Sequence, residues 1–520
     1  VRAFVSVLAL GLAVCVGGAT PSFAQSPTAA STSRRAPVSY AIVIGANDGG
    51  PARQRLSYAD DDAARMFQTL SPVVRRGFLL TTFDAVSAKA HTELTFVAEP
   101  ASLKSLARVV GELKWEMKRH QEQGTPTELW VYFAGHGDVD DGGEGYLALA
   151  DERLSRRQLQ EWVVDEVGAD VQHVVIDACA SYFMASRGGK ELPSTRLTPK
   201  MFDAVEAHRS KPTQTGYLLS TSTDAQVQES DAMGGGVFSH LLRSALLGAG
   251  DVDGDGRVEY AEAAAFIDRG SAGYEDARLH LQVYARPPLQ RPHAALSDLR
   301  RVRAGRFLRI PKGRLATVQV YDDGGSLYAQ VTRQPDRGAW LSLQGSAHFV
   351  VVDGADEAHL HPDREGGYAM SSLTFRRSPR HRGAALGGGR HASLAVDEQF
   401  LQGFTSRGAL LFPRRGDAFD VELVDGYEAP FRMPWLGISS GLFAGAGLSA
   451  AVALGGTGLN LWAFSRLQQQ YDETGVVDGP LTLELEMYRS VASGAMVLTG
   501  VFALGGAATL GMWWLEEGAE

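Results

Sequence analysis

Five short apolar runs, separated by stretches whose apolar residues recur at helical spacing, constrain this chain more than any other feature. "YAIVIG" (40–45), "GFLLTTF" (77–83), "ELWVYFA" (128–134), "HVVIDA" (173–178) and "GYLLSTS" (216–222) are almost continuously hydrophobic. That is the texture of strands buried on both faces. Between them, "DDDAARMFQTL", "ASLKSLARVVGELKWEMKRH" and "SRRQLQEWVVDEV" carry helical periodicity, and a last helix is expected from about Val237 to Leu247. Strands alternating with helices predict an α/β domain, layered around a mainly parallel sheet, over residues 39–270.

The rest of the chain divides by texture. Residues 306–430 read "ATVQVYDDGGSLYAQVTR", "AWLSLQG", "HFVVVDG" and "YAMSSLTFRR", alternating runs broken by turn residues. They predict a separate antiparallel β domain, most simply a small sandwich, with 271–305 as connector. His359 and His361 in "HLHP" read as exposed loop residues rather than a metal pair. Residues 1–24 run from Arg2 through an uncharged apolar stretch to small residues at Ser22 and Ala24, the pattern of a cleaved secretory signal, and 25–38 form a linker. Residues 436–464 and 493–515 carry no charge, and both exceed the length a bilayer core demands. Gly437, Gly441 and Gly445 would let two helices approach closely, and Trp462, Trp513 and Trp514 stand near segment ends. A transmembrane hairpin is expected, its loop 465–492 cytoplasmic because Arg466 and Arg489 flank the spans.

The formal net charge of -10 is spread along the chain without basic blocks, which sets nucleic-acid binding aside. Of two cysteines, Cys15 falls inside the leader, so Cys179 is left without an internal disulfide partner. It follows the fourth apolar run. The third runs into "GHGD", which sets His136 between two glycines just past a strand. Open parallel sheets place ligands at the carboxyl ends of their strands, and a cysteine within reach of a histidine makes a nucleophile and its base.

"YAIVIGAND", "LSYADDDAARMF", "VYFAGHGD", "VVIDACAS", "STSTDAQVQES" and "GGGVFSHLLRSAL" resemble, in order and spacing, the caspase-like cysteine peptidases, and among them the bacterial metacaspase-type members. The resemblance covers about residues 38 to 270. It implies the caspase-hemoglobinase fold, an α/β/α sandwich, with His136 as base and Cys179 as thiolate, and with the N–H groups of Gly137 and Cys179 on the oxyanion. It further implies that Asp177, two residues before the cysteine, lines the substrate pocket with Asp62, or less readily Asp61, so that cleavage follows Arg or Lys. Two departures stand out: Ala134 occupies a position that is generally Ser in metacaspases, and "ASYFMAS" replaces their small "HSG" pattern.

"DVDGDGRVEYAE" (251–262) matches the twelve-residue calcium loop. Asp251, Asp253 and Asp255 take its positions 1, 3 and 5, Gly256 the turn, Arg257 the carbonyl at 7, and Glu262 the final carboxylate. Calcium is expected there in a structural role, and no cofactor is expected for catalysis. The chain therefore reads as an exported, membrane-anchored cysteine endopeptidase acting on protein or peptide substrates. Its catalytic domain would lie on the periplasmic side of a bacterial inner membrane. The alternative is a catalytically silent caspase-fold sensor or binding module.

Overall fold

The computed structural model describes residues 36–50, 53–150, 152–178, 184, 214–221, 229–231, 233–276, 279–378, 393–396, 400, 417–425 and 427. The expected leader, most of the linker, both expected membrane spans and Cys179 lie outside them. Among the described residues no helix is long and apolar enough to cross a membrane.

The first strands in chain order are β1 (Val38–Ala46), β2 (Arg76–Thr81), β3 (Ala98–Glu99) and β4 (Thr127–Gly135). A small antiparallel sheet follows, formed by β5 (Gly137–Val139), β6 (Gly145–Ala148) and β7 (Arg153–Ser155). Then come β8 (Val171–Asp177), β9 (Thr215–Thr221), the two-stranded β10 (Glu229–Ser230) and β11 (Gly235–Gly236), β12 (Arg257–Glu259) and β13 (Gln282–Arg286). The central sheet has seven strands in the order β13-β9-β8-β4-β1-β2-β3. All its pairings are parallel except β13 with β9. All five apolar runs lie in this sheet.

The longer helices are α1 (Ala59–Leu70), α2 (Leu103–Glu122), α3 (Arg156–Gln158, continuing through Leu159–Glu166), α4 (Val237–Ser244, continuing through Ala245–Ala249) and α5 (Tyr260–Ala272). Alternate strand residues serve opposite layers, as a pleat of period two requires. Ala41, Val43, Trp130, Tyr132 and Val175 pack with residues of α1, α4 and α5, whereas Tyr40, Ile42, Ile44, Val131, Phe133 and Ile176 pack with those of α2 and α3. Residues 271–305, expected only to connect, supply the antiparallel edge strand β13. Its apolar run is only three residues, Val283, Tyr284 and Ala285, between Gln282 and Arg286, too short to stand out from a loop.

Beyond β14 (Ala295–Asp298) the chain forms a sandwich from β15 (Arg306–Ile310), β16 (Ala316–Tyr321), β17 (Leu327–Arg333), β18 (Ala339–Ser342), β19 (Phe349–Asp353), β20 (Asp356–Leu360), β21 (Gly366–Ala369) and β22 (Arg376–Arg377). One sheet is β18-β15-β21 and the other β17-β16-β19-β20-β22. Leu308, Ile310, Val318, Val331, Phe349, Val351 and Leu360 fill the space between them. Two expectations need correction. The pairing of β15 with β21 is parallel, because the chain returns to the small sheet only after crossing through the large one. Nor is the sandwich separate, for Tyr321, Leu327, Val350 and Val352 join the core beneath α4 and α5. Arg243 of α4 donates to the carbonyls of Leu327 (2.9 Å) and Tyr328 (3.0 Å), and Gln330 N donates to Ser244 Oγ at 3.1 Å.

Candidate active site

The strand register sets the site. Ala134 of β4 pairs with Asp177 of β8, and Ala46 of β1 with Gly135. His136 follows Ala134 by two residues, as Cys179 follows Asp177 by two. The half-buried His136 ring places Nε2 2.9 Å from the Gln54 carbonyl. A carbonyl only accepts, so Nε2 carries the proton and Nδ1 is the basic nitrogen. Burial pulls the imidazole pKa below its ordinary value and the Arg53 charge adds to this, while the Gln54 carbonyl and Asp48 oppose. The lowered pKa favours the neutral imidazole at physiological pH. Gly49 lies against its ring; a Cβ there would come within 2.4 Å of Cδ2. Arg53, bonded to Asp138 and to the Tyr146 hydroxyl, ties the same loop down. Gly137 opens β5 opposite Leu147.

The three consecutive acids of α1 have three different partners. Acidic residues in a first helical turn are favoured by the helix dipole, so the sequence alone could not separate them. Asp60 accepts from Asp84 N at 3.0 Å. Asp61 meets His91 Nε2 at 2.9 Å and Ser87 Oγ at 3.1 Å, which turns it away from Asp62's partners. Asp62 accepts from Gly236 N at 2.7 Å. A methyl group on Gly236 would lie 2.9 Å from Asp62 Oδ2 and 3.0 Å from Asp177 Oδ2, so the two carboxylates converge on one point. At Gly235 a Cβ would stand 2.5 Å from Asp62 Oδ1. Only backbone without side chains can approach the pair this closely.

Both acids are nearly sealed, with exposures of 7% for Asp62 and 6% for Asp177. Burial raises Asp62 well above the carboxylate range and the Asp177 charge adds to it, against Gly236 N–H, Arg65 and Arg243. Burial likewise raises Asp177, to about 6, although hydrogen bonds from Ser239 and Ser220 hold it down. Tyr132 O–H donates to Ser239 Oγ at 2.6 Å, and Ser239 in turn donates to Asp177. The arrangement is a buried acid pair in which burial favours the protonated form of each carboxyl.

Tyr132, Ser239 and Gly236 were not anticipated. A tyrosine inside an apolar strand signals a hydroxyl in need of a partner, and the glycine run before α4 signals close backbone approach. Ser239 has no comparable mark. Ala134, buried beside Asp177, offers no hydroxyl of its own.

In the acidic loop, carboxylate oxygens of Asp251, Asp253 and Asp255 lie within 4.8 Å of one another, whereas Glu262 is not part of that group. Gly254 N, Asp255 N and Gly256 N donate to Asp251, and Arg257 N donates to Asp255. Gly256 adopts φ +78°, a conformation costly for other residues. Glu262 accepts from Val252 N at 2.7 Å and Glu259 N at 2.8 Å, which spans both ends of the loop. Burial raises Asp251 to about 7, with the neighbouring acids adding to it, and it raises Glu262 well above its usual value. Arg257 begins β12, which pairs with β14, so the loop has a partner strand from within the chain.

The site therefore lies in an α/β domain, with a histidine just past β4 and a buried acid at the end of the neighbouring β8. Residues 38–259 match the family model of the caspase domain, Peptidase C14, which supports a caspase-like cysteine peptidase domain over that part of the chain. No curated protein matches the chain.

Proposed function

We propose that the chain is a cysteine endopeptidase of the caspase and metacaspase type that hydrolyses peptide bonds after Arg or Lys. The observation that carries this reading is the convergence of Asp62 and Asp177 at Gly236, beside the strand end that bears His136. A guanidinium or ammonium entering that point would displace the carboxyl protons and pair with two desolvated carboxylates, where electrostatic attraction is least screened. The pair would reject an acidic side chain for the same reason.

In the reaction, Cys179 Sγ passes its proton to His136 Nδ1 and the thiolate adds to the scissile carbonyl carbon. N–H groups of Gly137 and Cys179 stabilise the oxyanion. The imidazolium then protonates the leaving amine as the C–N bond breaks, leaving a thioester. Water, deprotonated by the same imidazole, hydrolyses the thioester and restores the thiol. Calcium, held by Asp251, Asp253, Asp255, the Arg257 carbonyl and Glu262, would stiffen the junction between α4 and α5. The apolar ends make this an exported protein anchored by its C-terminal hairpin.

A fluorogenic peptide panel with Arg, Lys or Asp before the scissile bond, run with and without calcium, tests the reading. Cleavage after Arg and Lys that disappears in Cys179→Ala is expected. Activity surviving that substitution overturns the mechanism, preference for Asp overturns the pocket, and inertness toward every peptide favours the silent sensor.

A further inference from the structure

We propose that the β sandwich carries a binding site for a divalent transition-metal ion, with His348 Nε2 and His359 Nδ1 as its protein ligands. The site is distinct from the peptidase site, and nothing in it depends on Cys179. The ladder of β19 and β20 pairs Phe349 with Leu360 and Val350 with His359. One step further, this register sets His348 across from His361. Phe349, Val351, Ala358 and Leu360 point into the sandwich, so the alternate residues, all three histidines among them, share the opposite face.

The rings are organised rather than splayed. His348 Nε2 and His359 Nδ1 stand 2.8 Å apart, with the two rings within 3° of parallel. His361 stacks on His348, ring centroids 4.3 Å apart and planes within 8°. The backbone is held on both sides: Ser346 Oγ donates to the His348 carbonyl at 2.8 Å, and His361 N donates to the Tyr427 hydroxyl at 2.7 Å. His359 is exposed, His348 half-buried and His361 buried, so the pair is reachable from solvent while the third ring backs it. His359 and His361 are therefore not the loose loop residues their "HLHP" context suggests: His359 lies within β20, and the His361 ring is packed.

Two imidazole nitrogens at this separation share one proton, one ring donating and the other accepting. An ion can replace that proton with little rearrangement. Metal–nitrogen bonds of ~2.0–2.1 Å at a tetrahedral angle put two ligand nitrogens about 3.3 Å apart, an opening of roughly half an ångström. Imidazole donors select zinc, copper or nickel ions over calcium or magnesium, so this site and the carboxylate loop differ in the ions they take. Water would complete the coordination, and His361, stacked on His348, is a positioning residue.

The test uses the full chain carrying Cys179→Ala, so that the thiol does not compete, with Cu²⁺ as probe in the presence of excess calcium. Electron paramagnetic resonance should show a bound equivalent with nitrogen couplings from two imidazoles, displaced by Zn²⁺ and weakened on acidification as the rings protonate. His348→Ala and His359→Ala should each weaken binding by about tenfold or more. His361→Phe, which keeps a stacked ring, should change it by less than about threefold. Circular dichroism melting of each variant confirms the fold, since neither ligand ring lies in the sandwich core. Unchanged affinity in the double variant, or a signal from oxygen ligands alone, overturns the proposal.

Discussion

At the scale of single residues, the proposed pocket would make Asp177 a link between stability and recognition. Its pKa is raised to about 6 in the fold, chiefly by burial. An acid raised in this way contributes stability below its unfolded pKa and loses it as pH rises through the folded value. At neutral pH the charge therefore costs about 3 kcal/mol at most. Asp177→Asn should raise the melting temperature at neutral pH, an advantage that vanishes near pH ~3–4. It should also lower kcat/KM for an Arg substrate by about 100-fold, through loss of a charge-assisted contact. Equal cleavage by variant and parent would remove Asp177 from the pocket. The parent's kcat/KM on Arg substrates should climb as pH rises through about 6, where Asp177 ionises. A citrulline substrate, isosteric but uncharged, should show a shallower climb, left to His136 alone.

At the scale of elements, α4 serves two surfaces at once. Ser239 donates to Asp177 on the sheet side, while Arg243 and Ser244 bond β17 of the sandwich. Ser239→Ala removes one hydrogen bond to a buried carboxylate and leaves Tyr132 O–H without its acceptor, a cost of about 1–3 kcal/mol. With its hydrogen bond gone, Asp177 should hold its proton to higher pH, so the ascending limb of the Arg-substrate profile should shift upward. An unshifted limb would mean that Asp177 does not govern it. The acidic loop belongs to this scale as well. Burial and mutual repulsion keep Asp251 at about 7, so calcium should raise the melting temperature more at high pH than below about 6, as binding must displace protons. Glu262→Gln should abolish that gain.

At the scale of the whole molecule, the foot of the sheet is tied to the chain that follows the acidic loop. Arg301, just after β14, donates to Glu128 at 3.0 Å and also bonds Ser39. Glu128 meets His173 at 3.2 Å, and the Tyr260 hydroxyl lies 2.7 Å from the other nitrogen of that ring. Burial by itself would raise Glu128, but His173, Arg301 and Ser39 together bring it down to about 2. A depressed acid contributes stability above its unfolded pKa and loses it as pH falls through the folded one. Glu128→Gln should therefore cost about 3 kcal/mol at neutral pH, as measured by denaturant unfolding, with the deficit shrinking from pH ~4.5 toward 2. A deficit independent of pH would show that packing, not charge, is lost.

The layered α/β architecture was legible in the sequence because a strand buried on both faces must be apolar throughout, and such runs are local. The acidic loop and the place of His136 past β4 were legible for a related reason: each is a short motif whose residue types have few other uses in that spacing, while Cys179 lies outside the described residues. Asp62 and Asp177 were named without knowing that Gly236 brings them together, since they lie far apart in sequence and only the α1–β8–β11 packing closes the gap. The edge strand β13, the sandwich docked on α4, and the Tyr132–Ser239 relay left no comparable trace. Their partners are distant, and their residues are ordinary until packed. The histidines of β19 and β20 show the same division: "HLHP" marked two of them, but His348 became their neighbour only through strand register. Periodicity and local chemistry determined what each segment can be; which polar groups face one another, carboxylates and imidazoles alike, was decided by long-range packing alone.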